Sequence, residues 1–288
     1  MRNPWKNALG LVLGMALLAI PAAAKAPAQS GPDPASRAEG KPEPADRLIV
    51  LAADPWCPYN CDPQADGQEG YMVDVARAVF EPLGYRVEYR LMSWTQALRM
   101  AEDGKVHGLV GAGETDFADL IFPAHPLGLS ENAIATRRGH AFAWKGPASL
   151  AGHRMAVIKD YSYGSVLDPY IEEHADDPSR VTVLSGFGYA LLNQSLRGLV
   201  EGRYDLVPED ANVLAWGLRR MKLEERVAQH PLNDGEPVHI GFPKGQPRSA
   251  ELARLMTRGI EGMRRDGTLA AILARYGLTD WQPAQAAR

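Results

Sequence analysis

Hydrophobic and polar residues follow one another along the chain in blocks that predict alternating strands and helices. Residues 48–52 form an apolar run typical of a buried strand, and a long loop rich in Pro, Gly and Asp follows. From Tyr71 to Leu83 apolar residues recur at helical spacing, and Gly84 marks the end of that helix. Further strands are predicted at residues 86–91, 106–110, 132–136, 155–158, 181–184, 206–207 and 238–242. Two amphipathic helices, at residues 250–264 and 268–276, complete the pattern.

One short pattern occurs twice. Gly-Lys-Val-His-Gly-Leu-Val at residues 104–110 returns as Gly-Arg-Tyr-Asp-Leu-Val at residues 202–207, and each copy follows a helix-like stretch. Each copy also leads into a polar loop. The repetition predicts two similar α/β domains whose strand-end loops face a shared cleft, which is where α/β folds of this kind place ligands.

The first 24 residues have the three regions of a secretory signal peptide. Arg2 and Lys6 precede an apolar run at residues 8–20, and small residues follow up to a predicted cleavage site near Ala24. The apolar run is shorter than the ~20 residues that cross a bilayer. We therefore expect an exported, soluble protein, which in a Gram-negative cell lies in the periplasm.

The remaining chain divides into a leader and two domains. Residues 25–46 are rich in Pro, Ala, Gly and charge and have little to bury, so a disordered linker is expected there. The first domain is predicted to comprise residues 47–138 and 237–281, and the second residues 139–236. The two crossings between them, near Gly139 and Pro237, would form a hinge. We expect a monomer.

Charge and motif composition exclude several functions. Without Arg2 and Lys6 the chain has 29 basic residues against 35 acidic ones, a net charge of −6 that argues against nucleic acid as a partner. The seven histidines have no zinc-site spacing, and no nucleotide-binding glycine loop or nucleophile elbow is present. No metal, no cofactor and no enzymatic activity are therefore expected.

Several segments together resemble the periplasmic solute-binding proteins of family 3, the amino-acid-binding class that serves ABC importers. These segments are Gly-Tyr-Met-Val-Asp-Val at 70–75, Trp94 with Ala-Leu at 97–98, Ser-Leu-Ala-Gly-His-Arg-Met-Ala-Val at 149–157, the motif at 202–207, and Asp-Gly-Thr-Leu-Ala-Ala-Ile-Leu-Ala-Arg-Tyr-Gly at 266–277. The resemblance covers nearly all of residues 47–278. It implies the α/β fold of a type II periplasmic binding protein, with two domains that close on a ligand in the cleft between them.

The chain differs from the family in the loop that recognises the charge of the ligand. The amino-acid binders carry an arginine that holds the α-carboxylate of the ligand, in the loop after the third strand. Here no arginine lies between Lys105 and Arg137, and the loop offers Glu114, Asp116 and Asp119 instead. Because acids in a cleft repel a carboxylate, the sequence predicts a cationic or neutral ligand. Which residues replace the arginine stays open at this point.

The resemblance implies a set of ligand-binding residues. In the second domain Asp210 takes the position of the family's ammonium-binding aspartate, although it is also a suitable N-cap for the helix that follows. The loop after residue 158 offers hydroxyls and amides to the ligand. In the first domain Tyr59 is the preferred aromatic, and Trp94 either contacts the ligand or packs in the core. The remaining predicted contacts are Gly111, Glu114, Tyr161, Ser162 and Tyr163.

Cys57 and Cys61 are the only cysteines, and both lie in the loop after the first strand. In an oxidising compartment a disulfide that fixes Tyr59 between them is the leading interpretation, and a metal-binding pair is the weaker one.

We expect a binding protein that captures a small polar ligand, amino-acid-like or an amine, and delivers it to a membrane permease. Two alternatives stay open, since fold does not set function. One is a sensory module for a membrane signalling protein. The other is an enzyme similar to the periplasmic dehydratases of this fold, whose cyclic acid substrates need cationic groups that the acidic loop lacks.

Overall fold

The computed structural model describes residues 47–114, 119–233 and 235–282. The predicted signal peptide and linker, residues 1–46, lie outside the described residues. In chain order the elements are β1 (Leu48–Ala53), α1 (Pro63–Asp66), α2 (Tyr71–Phe80), β2 (Arg86–Leu91), α3 (Trp94–Glu102), β3 (Gly108–Gly113), β4 (Leu120–Ile121), β5 (Gly128–Ser130), β6 (Asn132–Arg137), β7 (Met155–Ile158), α4 (Gly164–His174), β8 (Val181–Leu184), α5 (Tyr189–Glu201), β9 (Val207–Asp210), α6 (Ala211–Met221), β10 (Val227–Pro231), β11 (Glu236–Pro243), α7 (Ser249–Asp266) and α8 (Thr268–Arg275). Short 3₁₀ segments add Glu81–Leu83 and Pro147–Leu150.

A six-stranded sheet organises the first lobe, which we define as residues 48–130 and 235–278. The strand order is β2-β1-β3-β11-β4, with β5 paired to β11. β1 runs parallel to both β2 and β3, whereas β11 is antiparallel to β3. Residues 49–53 of β1 are all buried, as the uninterrupted apolar run predicts for a strand covered on both faces. Helices α2, α7 and α8 pack together in this lobe.

The second lobe, residues 132–231, is built on shorter strands. β6 lies between β9 and β10 and is antiparallel to both, and β7 pairs with β8 in parallel. A parallel bridge between Met155 and Leu206 links β7 to the start of β9. Together the two lobes make a two-domain α/β fold. None of the described helices is both long enough and apolar enough to cross a membrane.

The chain passes between the lobes at two adjacent points. β5 belongs to the first sheet and β6 to the second, so the first crossing lies at Glu131. The return crossing lies between β10 and β11, where Leu232 N–H donates to Asn132 O at 2.9 Å. The first crossing therefore precedes the predicted one near Gly139, because the strand at residues 132–136 pairs in the second lobe. We propose Glu131 and residues 232–235 as the domain boundaries.

The loop after β1 is fixed by its contact with the start of α2. Tyr71 and Met72 N–H groups, which have no partner within the helix, donate to the carbonyls of Pro58 and Tyr59 at 3.1 and 3.0 Å. Gly70, at φ 95°, makes this approach possible. A Cβ atom there would lie 2.5 Å from backbone atoms of Tyr59 and Asn60, so a side chain would push the loop away.

A disulfide closes the same loop. Cys57 and Cys61 are joined, with Cα atoms 4.5 Å apart, as the sequence led us to expect. Both residues are fully buried, and the Cys57–Pro58 peptide bond is cis. The crosslink and the α2 contact together hold residues 56–60 in one position.

We expect the oxidised protein to show no free thiol after unfolding. Reduction should lower its free energy of unfolding by about 2 kcal/mol, because opening a short crosslinked loop returns only a small amount of chain entropy to the unfolded state. Thiol titration and denaturant unfolding with and without reductant measure both quantities. A Cys57→Ala/Cys61→Ala variant is the control, since reductant should leave it unchanged. Two reactive thiols in protein prepared without reductant would contradict the assignment.

Candidate functional site

A cavity of about 80 Å³ lies between the lobes. Strand ends and loops of both lobes line it: the ends of β1, β3 and β5 and the start of β11 from the first lobe, and the end of β9 and the loop before α4 from the second. The residues that line the cavity include Asp54, Trp56, Asn60, Trp94, Gly111, Tyr161, Ser162, Tyr163 and Glu209. Both predicted halves of the cleft thus contribute to one site.

Two aromatic side chains of the first lobe reach the cavity, Trp56 and Trp94. The Trp56 ring stacks on Tyr59 with centroids 4.2 Å apart. Behind it, Tyr59 is buried and donates from its hydroxyl to Asp210 Oδ2 at 2.9 Å. Trp94 is the first residue of α3, whose N-cap Ser93 accepts from Gln96 N–H. The cavity therefore has indole surfaces that suit an apolar stem or a cation.

Three carboxylic acids line the cavity, Asp54, Glu209 and Glu236, and the first two are almost completely buried. Asp54 follows β1 and is 5% exposed, and Glu209 lies in β9 and is 4% exposed. Each accepts a hydrogen bond from the opposite lobe. Tyr161 Oη donates to Asp54 Oδ2 at 2.7 Å, and Trp56 Nε1 donates to Glu209 Oε1 at 2.9 Å. Among the described residues that line the cavity, none is Lys, Arg or His.

Burial changes the proton affinity of these acids. It raises the pKa of Asp54 to about 6, although hydrogen bonds from Tyr161 and the Gly188 N–H group lower it. It raises the pKa of Glu209 to about 7, against the lowering effect of the Trp56 hydrogen bond. Desolvation dominates because no cation compensates either charge. A cationic ligand group in the cavity would favour both carboxylates and would release their protons.

Asp210, the neighbour of Glu209, has a different role in the structure. Its Oδ1 accepts from the N–H groups of Asn212 and Val213, which makes it the N-cap of α6. Its Oδ2 accepts from the hydroxyls of Tyr59 and Ser130. Burial raises its pKa to about 6 even though four donors favour the carboxylate. Both carboxylate oxygens are therefore engaged by protein groups, and the donors to Oδ2 come from the first lobe.

Sequence and structure comparisons decide the family. The pattern of bacterial extracellular solute-binding proteins, family 3, matches residues 48–279. The chain belongs to this family. No curated protein matches the sequence.

Several solved structures share the fold of this chain. A histidine kinase sensor domain similar to periplasmic binding proteins is 23% identical, with a TM-score of 0.68 over 82% of this chain and 100% of its own. An ancestral arginine-binding protein bound to arginine is 22% identical, with a TM-score of 0.64 over 80% and 98%. A structure reported for glutathione import through GshT and the cystine ABC importer TcyBC of Streptococcus mutans is 16% identical, with a TM-score of 0.68 over 82% and 98%. At these identities the similarity shows the fold, a type II solute-binding protein.

The structure brings part of the predicted family-3 site together. Trp94, Gly111, Tyr161, Ser162 and Tyr163 all line the cavity. Gly111, at φ 81°, lies against Trp56, and a Cβ atom there would come within 3.0 Å of Asn60 Oδ1. The hydroxyls of the second-lobe loop are already used, since Ser162 Oγ donates to Asp168 and Tyr163 Oη accepts from Ile158 N–H, both at 2.7 Å. This loop therefore forms part of the cavity wall, and its hydroxyl groups already have hydrogen-bond partners within the protein.

Three other predicted positions lie elsewhere. Tyr59 and Asp210 lie behind Trp56 and Glu209, which line the cavity in their place. Glu114 has a side chain that is 68% exposed, and its Oε1 lies 3.9 Å from Nε2 of His239. Asp116 falls outside the described residues. Among the described residues, the acids that line the cavity are therefore Asp54, Glu209 and the half-buried Glu236 at the start of β11, and none comes from the loop after β3.

Sequence reasoning considered Trp56 but preferred Tyr59, and it missed Asp54 and Glu209, although each of these two acids had a signal. Successive side chains of a strand point to opposite faces. Since Asp210 turns toward α6 as its N-cap, Glu209 has to face the other way, which is toward the cleft. Asp54 stands directly after the buried strand β1, where strand-end residues of an α/β sheet face the ligand site.

The unliganded protein should lose stability as the pH rises from about 4.5 to about 7. Folding raises the pKa of Glu209 from 4.5 to about 7, so the folded chain binds this proton more tightly than the unfolded chain. Such a contribution is complete below the unfolded pKa and is lost as the pH rises through the folded pKa. At about 1.4 kcal/mol per pKa unit, Glu209→Gln should remove roughly 3 kcal/mol of the pH-dependent loss.

Denaturant unfolding across this pH range measures the effect. Glu172→Gln is the matched control, because it removes the same charge from an exposed position of α4 and should keep the slope of the unaltered protein. An equally steep loss of stability in Glu209→Gln would contradict the assignment of this proton to Glu209.

Proposed function

We propose that this solute-binding protein captures a small ligand with a cationic group by closing its two lobes around it. The observation that carries the proposal is the pair of buried acids, Asp54 and Glu209, which line the cavity with no basic side chain among the described lining residues. A buried charge without a partner is costly, so a bound cation would stabilise both groups. The ligand is an amine or an amino-acid-like molecule with an exposed cationic end.

The aromatic lining supports the same ligand class. The faces of Trp56 and Trp94 attract cations, and each desolvated contact of this kind contributes about 2 kcal/mol. Asn60 adds a buried polar group to the wall, and its Oδ1 accepts no hydrogen bond within the described residues. That oxygen is a ready acceptor for an ammonium or guanidinium N–H. An anionic group in the same place would face two acids and an unsatisfied acceptor.

Delivery to an ABC importer is the function that we propose for the captured ligand. The family is described as extracellular, and the signal-peptide pattern of residues 1–24 supports export to the periplasm with cleavage near Ala24. A monomer that presents both lobes to a membrane permease would fit this role. We propose binding without catalysis, since the polar groups at the cavity are held in hydrogen bonds between the lobes rather than arranged around a nucleophile.

A sensory role is the second candidate. The similarity to a histidine kinase sensor domain, with a TM-score of 0.68 and complete coverage of that domain, favours it. In that case the closed form would be read by a membrane signalling protein rather than by a permease. Both roles require the same ligand-dependent closure, so a ligand-binding experiment tests the transport role and the sensory role alike.

We expect amines and basic amino acids to raise the melting temperature, and glutamate and aspartate to leave it unchanged. The physical reason is the charge of Asp54 and Glu209, since like charges brought together at a site of low dielectric cost several kcal/mol. A thermal-shift screen of amines, amino acids and organic acids measures the preference. Asp54→Asn/Glu209→Gln should lose the response to amines, whereas Glu172→Gln should keep it. Strong stabilisation by an acidic amino acid, retained in the double variant, would show the proposed ligand class to be wrong.

We also expect the ligand to make the molecule more compact, because the adjacent crossings at Glu131 and residues 232–235 allow the lobes to rotate as rigid bodies. Arg220 of the second lobe pairs with Asp66 of the first at 2.7 Å, away from the cavity. Arg220→Ala should open the unliganded form and weaken ligand binding roughly threefold.

Small-angle scattering measures the radius of gyration with and without an amine found in the screen. Arg219→Ala is the control, since it removes the same charge one residue earlier, outside this ion pair. A scattering profile that stays unchanged when an amine binds would contradict lobe closure and would support a protein that binds its ligand without a change of shape.

A further inference from the structure

A second cavity, of about 220 Å³, adjoins the first. Asp54, Trp94 and Tyr161 line both cavities, so the hydrogen-bonded pair of Asp54 and Tyr161 stands at the boundary between them. The start of α3 and the residues after β7 and β8 form the rest of the second wall. A ligand that passes this boundary would occupy both spaces.

The second cavity differs from the first in its charge. Arg99 of α3 and Lys159, which follows β7, both line it, and the hydroxyl residues Ser93, Thr95 and Ser185 lie around them. The first cavity has acids and no lining base, whereas here two cations lie on opposite lobes. A single anionic group between them would contact both lobes and would add to closure.

Arg99 is the better placed of the two cations. Within the described residues its guanidinium makes no hydrogen bond or ion pair, and Lys159 lies 3.7 Å from the carboxylate of Asp160. Thr95 donates a hydrogen bond to that same carboxylate. Part of the Lys159 charge is therefore compensated within the protein, while the planar guanidinium of Arg99 can donate two parallel hydrogen bonds to a carboxylate.

We propose that the ligand is a zwitterion with separated charges, whose cationic end lies in the first cavity and whose carboxylate binds Arg99 in the second. This inference rests on the proposed function, since it adds a second contact to the same ligand. The ends of such a ligand lie on either side of the Asp54–Tyr161 pair, so they are farther apart than in an α-amino acid, where both groups share one carbon. An ω-amino acid or a short peptide has this chemistry. Arg99 thereby takes over the task of the arginine that is absent between residues 105 and 137.

The experiment compares ligands that differ at one end only. A series of ω-amino acids, from β-alanine to longer chains, is titrated beside the alkylamines and ω-amino amides of equal length. We expect one chain length of ω-amino acid to bind about three to ten times more tightly than its amine and its amide, the range that one partly exposed carboxylate–guanidinium contact gives. Arg99→Ala should remove this difference without changing the affinity for the amine, and Arg99→Lys should keep part of it. Arg254→Ala, which removes an exposed charge from α7 outside both cavities, is the control.

The possible outcomes are distinct. Equal binding of amines and ω-amino acids at every length, with no effect of Arg99→Ala, would overturn the inference and leave the proposed function intact. Binding of the matching carboxylic acids alone, without an amine, would overturn the proposed function and the inference with it. A length-dependent advantage that survives in Arg99→Ala and is lost in Lys159→Ala would reassign the carboxylate and refute the role of Arg99.

Discussion

The closed arrangement depends on how two buried acids are satisfied. Asp54 belongs to the first lobe and accepts from Tyr161 of the second, while Glu209 belongs to the second and accepts from Trp56 of the first. Each lobe thus supplies a carboxyl group and a neutral donor to the other. Neutral donors compensate a buried carboxylate only in part, which leaves an attraction for positive charge at the centre of the molecule. The proposed preference for a cationic ligand rests on that incomplete compensation.

Most of the fold could be predicted from the sequence because long periodic segments determine it. The apolar run of β1, the helical spacing in α2 and the final pair of helices α7 and α8 were all predicted close to their observed positions. β6 was assigned to the wrong sheet, because an apolar strand of six residues does not reveal its partner. β10 was missed altogether. Its sequence, Val-Ala-Gln-His-Pro, has little apolar character, and it forms because β6 offers an open edge beside it.

The site was harder to predict than the fold because strand direction decides which of two neighbouring residues faces the cleft. Asp210 and Glu209 differ by one position, and only the cap of α6 settles which of them turns away. In the same way Trp56 and Tyr59 stack on one another, and their order from the cavity depends on the loop held by Gly70 and the disulfide. The sequence analysis assigned the acidic groups to the loop after β3, whereas the acids that line the cavity lie at the ends of β1 and β9 and at the start of β11. The identity of the charged residues required the backbone.

The two adjacent crossings also determine the order in which the protein can be assembled. The second lobe is one continuous stretch, residues 132–231, so every strand it needs has been made by the time residue 231 leaves the ribosome. The first lobe is different, because β11 separates β3 from β4 and is synthesised only after the whole second lobe. Until then the edge of β3 has no partner on that side and can pair with other chains. The chain therefore contains all strands of the second lobe before those of the first lobe are complete, and the ligand site, which uses β11, cannot be complete before that strand is present.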